Sequence, residues 1–248
     1  MIHCGFAGVP GHGSSPGSTA SLPFVEGRLG GAIRIAASAA LGLVLLAGCS
    51  IFHSARPATQ VYVLRTAAAE HPQSDPLSTG PSLHVAHPMA SPGLDTDHIL
   101  LVEPGHRMSY YMASRWPANL PAVVEELTVD TLRASGAWST VQDSNSVFPT
   151  DYLLQIVVRR FEADYTAGSG APEIHVALDC TLGTRPGREV IASFISEGSA
   201  TAAANRLADV VAAFEAASNK ALDEIAVRSA QAVKTAQKVD APVPSMTR

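Results

Sequence analysis

The rhythm of hydrophobic and polar positions changes several times along this chain, and each change predicts an element. Residues 35–48 are uncharged and apolar, with no polar position at a helical period. Three short runs follow, at 60–64, 83–86 and 98–103. Their Val, Ile, Leu and Tyr content between Pro, Gly and Asp breakers predicts strands, with loops at 71–81 and 88–97. Pro104-Gly105 is a turn signal, so residues 108–112 are expected to return as the hairpin partner of 98–103. From Pro121 the period lengthens. Val123, Val124, Leu127, Thr131 and Ala134 recur at helical spacing, which predicts a helix over 121–135 with Pro121 in its first turn and Gly136 at its stop. Glu125 and Glu126 fall in the opening turns, where the helix dipole favours negative charge. Strand-like runs return at 152–163, 173–182 and 188–197, and the short loops between them predict an antiparallel meander. A last helix is expected over 205–232, carrying Leu207, Val210, Val211, Phe214, Ala217, Ala221 and Ile225 as one apolar stripe. Pro242 and Pro244 lie in a tail, 233–248, that is expected to be flexible.

These elements predict one α+β domain over 60–232, a mixed and mainly antiparallel sheet with two main helices packed on it. Of the 248 residues, the 200 that follow residue 48 are enough for one domain with its own core. Removing 1–48 takes two arginines and one glutamate from totals of 17 Lys plus Arg and 22 Asp plus Glu, leaving 15 against 21 and a formal charge of −6. The cations are scattered along an acidic chain, which argues against nucleic acid as a partner.

The 14-residue run 35–48 is too short to span about 30 Å of hydrocarbon, which needs roughly 20 apolar residues. Arg28 and Arg34 precede it and Leu46-Ala47-Gly48-Cys49 closes it, a pattern that resembles the signal segment and lipobox of bacterial lipoproteins. The resemblance implies cleavage before Cys49, with diacylglyceryl and N-acyl groups on that cysteine as the only added groups, and 49–59 as a lipidated tether. Ser50 favours sorting to the outer membrane. The Gly, Ser and Pro-rich leader 1–27 has no part in such a signal, and a start at Val25 is expected in its place. With Cys4 in the leader and Cys49 lipidated, Cys180 stands alone, and its alternation with Val176 and Leu178 marks it as a buried strand thiol.

Behind the lipobox come Tyr62-Val63-Leu64, Pro92-Gly93-Leu94-Asp95, Tyr110-Tyr111 with Arg115-Trp116, and Leu132 through Gly136 to Trp138. Asp151-Tyr152-Leu153-Leu154, Phe161 and Val210-Val211-Ala212-Ala213-Phe214 complete the series. In this order the set resembles the ABC-type transport auxiliary lipoprotein family, which includes PqiC-like components of MCE intermembrane transport systems. The resemblance implies a non-enzymatic subunit, lipid-anchored on the periplasmic face of the outer membrane. Its implied partners are an MCE-domain protein with its permease and ATPase, and a homo-oligomer is also implied. A stand-alone lipoprotein carrying an apolar ligand between helices and sheet is the second reading, and a secreted hydrolase the third.

The remaining motifs carry little chemistry. Gly13-Ser14-Ser15-Pro16-Gly17 matches a nucleophile elbow but has no strand before it and precedes the signal segment. His84 and His87 are an odd number of residues apart on a predicted strand, which turns them to opposite faces. Asp95-Thr96-Asp97 reads as a turn before a cation site. Tyr110, Tyr111, Arg115 and Trp116 form the densest group of aromatic residues with arginine, the types enriched in interface hot spots, and are the candidate partner-binding residues. The same four also suit the core of a sheet.

Overall fold

A computed structural model of the protein describes residues 58–66, 80–168 and 170–240. The signal segment, Cys49, the 71–79 loop and the last eight residues lie outside the described residues. In chain order the elements are β1 (Gln60–Val61), β2 (Ser82–Val85), β3 (Met89–Ala90), β4 (His98–Glu103), β5 (Arg107–Arg115), helix α1 (Leu120–Ala134), β6 (Thr140–Gln142), β7 (Tyr152–Asp164), β8 (Glu173–Thr184), β9 (Val190–Thr201) and helix α2 (Leu207–Asp240). The strands form one mixed sheet.

β7 organises the sheet. Its alternating residues Leu154, Ile156, Val158, Phe161 and Ala163 are buried towards the helices. Along one edge it pairs antiparallel with β8, which pairs antiparallel with β9, so the predicted meander is present. Along the other edge three short strands run parallel to it end to end: β2 against Tyr152–Leu154, β3 against Val157 and Val158, and β4 against Ala163 and Asp164. β6 lies beyond β2 and β5 beyond β4, with β1 outermost. The long pairings are therefore antiparallel and the short ones mostly parallel.

β3 and β6 were not expected from the sequence, and β3 falls inside the predicted 88–97 loop. Both are too short to show a period; neighbouring strands select them by offering backbone partners. Three further bounds moved. β9 runs on through Gly198-Ser199-Ala200, small residues without strand propensity. Glu125 lies past the first turn of α1, buried, and accepts hydrogen bonds from the Ser144 amide at 2.8 Å and His87 at 2.6 Å. α2 continues to Asp240, into the stretch expected to be flexible, because no breaker occurs before Pro242.

α2 lies along β8 and β9 and fastens the β9 edge. Gly198 allows this: a Cβ there would land on the Ala217 carbonyl oxygen and crowd the Ala221 amide, so only glycine lets strand and helix backbones approach. Ser196 beside it donates to the Ala221 carbonyl oxygen at 2.7 Å. The outward backbone groups of β9 then meet a row of side chains spaced four residues apart on α2. Lys220 Nζ donates to Ser199 O at 2.7 Å, Glu224 accepts from the Glu197 amide at 3.3 Å, and Arg228 donates to Ile195 O at 3.2 Å. The Arg228 guanidinium also sits 4.2 Å above the Phe194 ring.

Candidate functional site

The four candidate partner-binding residues separate, and a bulge in β5 separates them. Met108, Tyr110 and Met112 alternate onto the sheet face away from the helices, where they stay exposed. Ala113 then takes φ = 53°, and the register with β4 slips between the Leu100↔Tyr110 and His98↔Arg115 pairs. The extra residues reverse the alternation, so Arg115 remains on the outer face and Trp116 turns inward. Trp116 is 1% exposed and meets Phe161 and Phe214 edge-on, with ring centroids 6.0 and 5.4 Å away. It is a core residue, as its aromatic character also allowed. Tyr111 points to the core side as well, half-buried, its hydroxyl 2.8 Å from that of Tyr165, which in turn donates to Asn205 at 2.7 Å. Burial first, and the Tyr165 hydroxyl second, push the Tyr111 phenol well above its ordinary range, so it stays protonated.

Of the four, Tyr110 and Arg115 stay exposed on the outer face. The Tyr110 ring lies 5.2 Å from that of His98, and Arg115 reaches Asp97 at 3.5 Å. Register and alternation put Val61, Arg115, His98 and Tyr110 on one face. Val61, Val63, Met108 and Met112 are exposed apolar residues on or beside β1 and β5 that sequence reasoning missed, since Met and Val near a sheet edge look like core residues until the sheet order is known. Met112, at the bulge, is 87% exposed. From Met108 to Ala113 the outer edge of β5 has no strand partner among the described residues, because β1 pairs only with Ser114 and Arg115. An exposed apolar group beside an open edge is the feature expected of a docking surface.

The other candidates resolve as structure. Asp95 accepts from Asn119 at 3.3 Å and Thr96 accepts from the His98 amide at 3.2 Å, which fixes the turn before β4. His87 is bonded to Glu125, while burial, with Arg185 nearby, holds His84 below its ordinary value. Among the described residues no three His, Cys, Asp or Glu side chains gather as a metal would require. Cys180 is fully buried, and burial pushes its thiol up to about 12. Where helices meet sheet, the space lined by Val124, Leu127, Phe161, Leu178, Ser218 and Leu222 measures about 10 Å³, close to the volume of one water and far below that of an acyl chain. Among the described residues no helix is long and apolar enough to cross a membrane.

Comparison with known proteins places this geometry. Residues 62–226 match the family described as ABC-type transport auxiliary lipoprotein component. No curated protein matches the chain. A crystal structure of a Xanthomonas campestris protein of family DUF330 is similar with a TM-score of 0.60 at 25% identity, over 73% of this chain and 97% of that one. A hypothetical protein from Chlamydia trachomatis aligns at 10% identity over 63% of this chain and 99% of its own, with a TM-score of 0.43. The family match covers the sheet from the end of β1 and reaches well into α2, and on that extent the chain belongs to the ABC-type transport auxiliary lipoprotein family.

Proposed function

We propose that this protein is a lipid-anchored, non-catalytic adaptor of an MCE-type intermembrane transport system. It is held at Cys49 on the periplasmic face of the outer membrane and docks the MCE-domain protein that works with the permease and ATPase. The family match supports the transport role. The observation that carries the docking role is the exposed corner of β1 and β5, where Tyr110 and Arg115 stand among Val61, Val63, Met108 and Met112. Aromatic, methionine and arginine side chains are those enriched where proteins bind one another. The space between Phe161, Leu178 and Leu222, at about 10 Å³, is too small for the apolar ligand of a stand-alone carrier.

Two measurements test this reading. Cells grown on labelled palmitate should label the wild type and leave Cys49→Ala unlabelled; an unlabelled wild type overturns the anchor. Tyr110→Ala combined with Arg115→Ala should lower co-purification of the MCE-domain protein about tenfold or more with melting unchanged, in line with removal of two hot-spot side chains. Unchanged capture overturns the docking face. The mass of the purified protein, measured with and without the MCE partner, decides whether a second copy of the chain occupies that face.

A further inference from the structure

A second surface lies far from the docking corner, at the hairpin that joins β8 to β9. Here Leu153 of β7, Thr181 and Thr184 of β8, and Val190 of β9 surround a hollow of about 400 Å³, within the range of ligand pockets. Two guanidiniums line it, Arg185 and Arg188, against one carboxylate, Glu189. Arg107, Arg115, Arg159, Arg160, Arg206 and Arg228 each face a carboxylate within 4 Å. Arg185 and Arg188, like Arg65 and Arg133, have no ion pair among the described residues, and Arg133 is taken up by the Val141 carbonyl oxygen.

The hairpin that presents them is built tightly. The Thr184 amide donates to Glu189 O at 2.8 Å, and the Glu189 amide returns to Thr184 Oγ1 at 3.3 Å. A Cβ on Gly183 would come within 2.8 Å of Glu189 O, and Arg188 is held at φ = 52°, a conformation uncommon for a side-chain-bearing residue. Arg185 is anchored through its backbone amide to Asp151 O at 2.9 Å and through Nη1 to the buried Thr150 hydroxyl at 3.4 Å. Leu153 and Val190 line the hollow beside the two arginines, and Val190 is exposed at its rim. Guanidiniums without ion pairs, threonine hydroxyls and two apolar side chains therefore share one hollow.

We propose that this hollow binds the phosphate of an anionic amphiphile, with Arg185 and Arg188 holding the phosphate and Leu153 and Val190 taking the adjoining apolar part. Guanidinium is the side chain best matched to phosphate oxygens, through paired charge-assisted hydrogen bonds. The proposal rests on the intermembrane-transport reading for its purpose and names the class of molecule carried or sensed.

The full chain, purified in a non-ionic detergent, is titrated calorimetrically with dihexanoyl phosphatidylglycerol, dihexanoyl phosphatidylcholine and inorganic phosphate. Saturable binding of the phosphatidylglycerol is expected, at least about tenfold tighter than inorganic phosphate, which lacks the apolar part, and than phosphatidylcholine, whose choline brings a further cation to the two guanidiniums. Arg188→Gln, which removes no hydrogen bond seen in the fold, should weaken it about tenfold with melting unchanged. Arg185→Gln should do the same and be partly restored by lysine. Val190→Ser should weaken the phospholipid and leave inorganic phosphate unaffected. Inorganic phosphate binding as tightly as the phospholipid would make the ligand a free anion and overturn the amphiphile. No saturable binding, or binding indifferent to both arginines, would overturn the site. These readouts need neither palmitate labelling nor the MCE protein, so failure here is distinguishable from failure of the adaptor reading.

Discussion

The β9 edge and the β5 edge of the same sheet are finished in opposite ways. β9 is twelve residues long, and its outward backbone groups at Ile195, Glu197 and Ser199 are met by Arg228, Glu224 and Lys220. No strand can be added there without first lifting α2. Among the described residues the outer edge of β5 is paired only at Ser114 and Arg115, and along the rest of that edge stand Met108, Tyr110 and Met112. A bare strand edge is an aggregation hazard, so proteins cover it, charge it or use it. Among the described residues this molecule covers one with charged groups from a helix and leaves the other apolar, and on that contrast rests the proposal that partners dock at the β1 and β5 corner.

The sharpest way to break the contrast is at Gly198. Gly198→Ala drives a methyl group into the Ala217 carbonyl, and the expected loss is above about 4 kcal/mol, in the exceptional range for one substitution. Denaturant unfolding, with protease susceptibility of α2, checks this; a normal midpoint would mean that the helix stands further from the strand. Next in size is the pair Trp116→Ala and Tyr110→Ala. The first opens a cavity among Phe161 and Phe214 and should cost about 3–5 kcal/mol. The second acts on an exposed face and should stay within about 0.5 kcal/mol while weakening capture of the partner. Equal losses of stability would put both residues in the core.

The smallest expected effect is at Glu224 and depends on pH. Burial alone would raise its carboxyl, but hydrogen bonds from Ser196, Arg228 and the Glu197 amide outweigh burial and hold it below the ordinary 4.5. A depressed carboxyl adds stability above its unfolded value and loses it as the pH falls through the folded one. Glu224→Gln should therefore cost less than about 1 kcal/mol at neutral pH, because the carboxylate is 39% exposed and screened by solvent, with the gap to wild type closing below 4.5. A gap independent of pH would show that the carboxylate's charge has no part in fastening the edge.

The long elements were legible because their signals are local. The alternation of Leu154, Ile156 and Val158 and the α2 stripe from Val210 to Ile225 are written within single windows, and these residues are buried as expected. β3 and β6 are decided by strands far away in the sequence, so two or three residues carry no sign of them. The candidate residues were legible as a cluster in sequence, and the structure divides them between the two sides of the sheet. Tyr110, Tyr111, Arg115 and Trp116 are near neighbours in sequence, yet one backbone angle at Ala113 changes the alternation and sends Trp116 into the core. Arg185 and Arg188 carried no signal as a site, because Arg-Pro-Gly between two strands reads first as a turn.

The arrangement around β7 also sets an order of events during synthesis. Three strands on its free edge are drawn from residues 82–103, whereas β7 itself begins at Tyr152. A chain delivered from its N-terminus exposes those three strands well before their partner arrives, so they must wait while about fifty more residues emerge. The β7–β8–β9 meander closes through neighbouring segments and then serves as the template on which the earlier ones settle. Factors that shield nascent chains should therefore matter most for the first half of this domain.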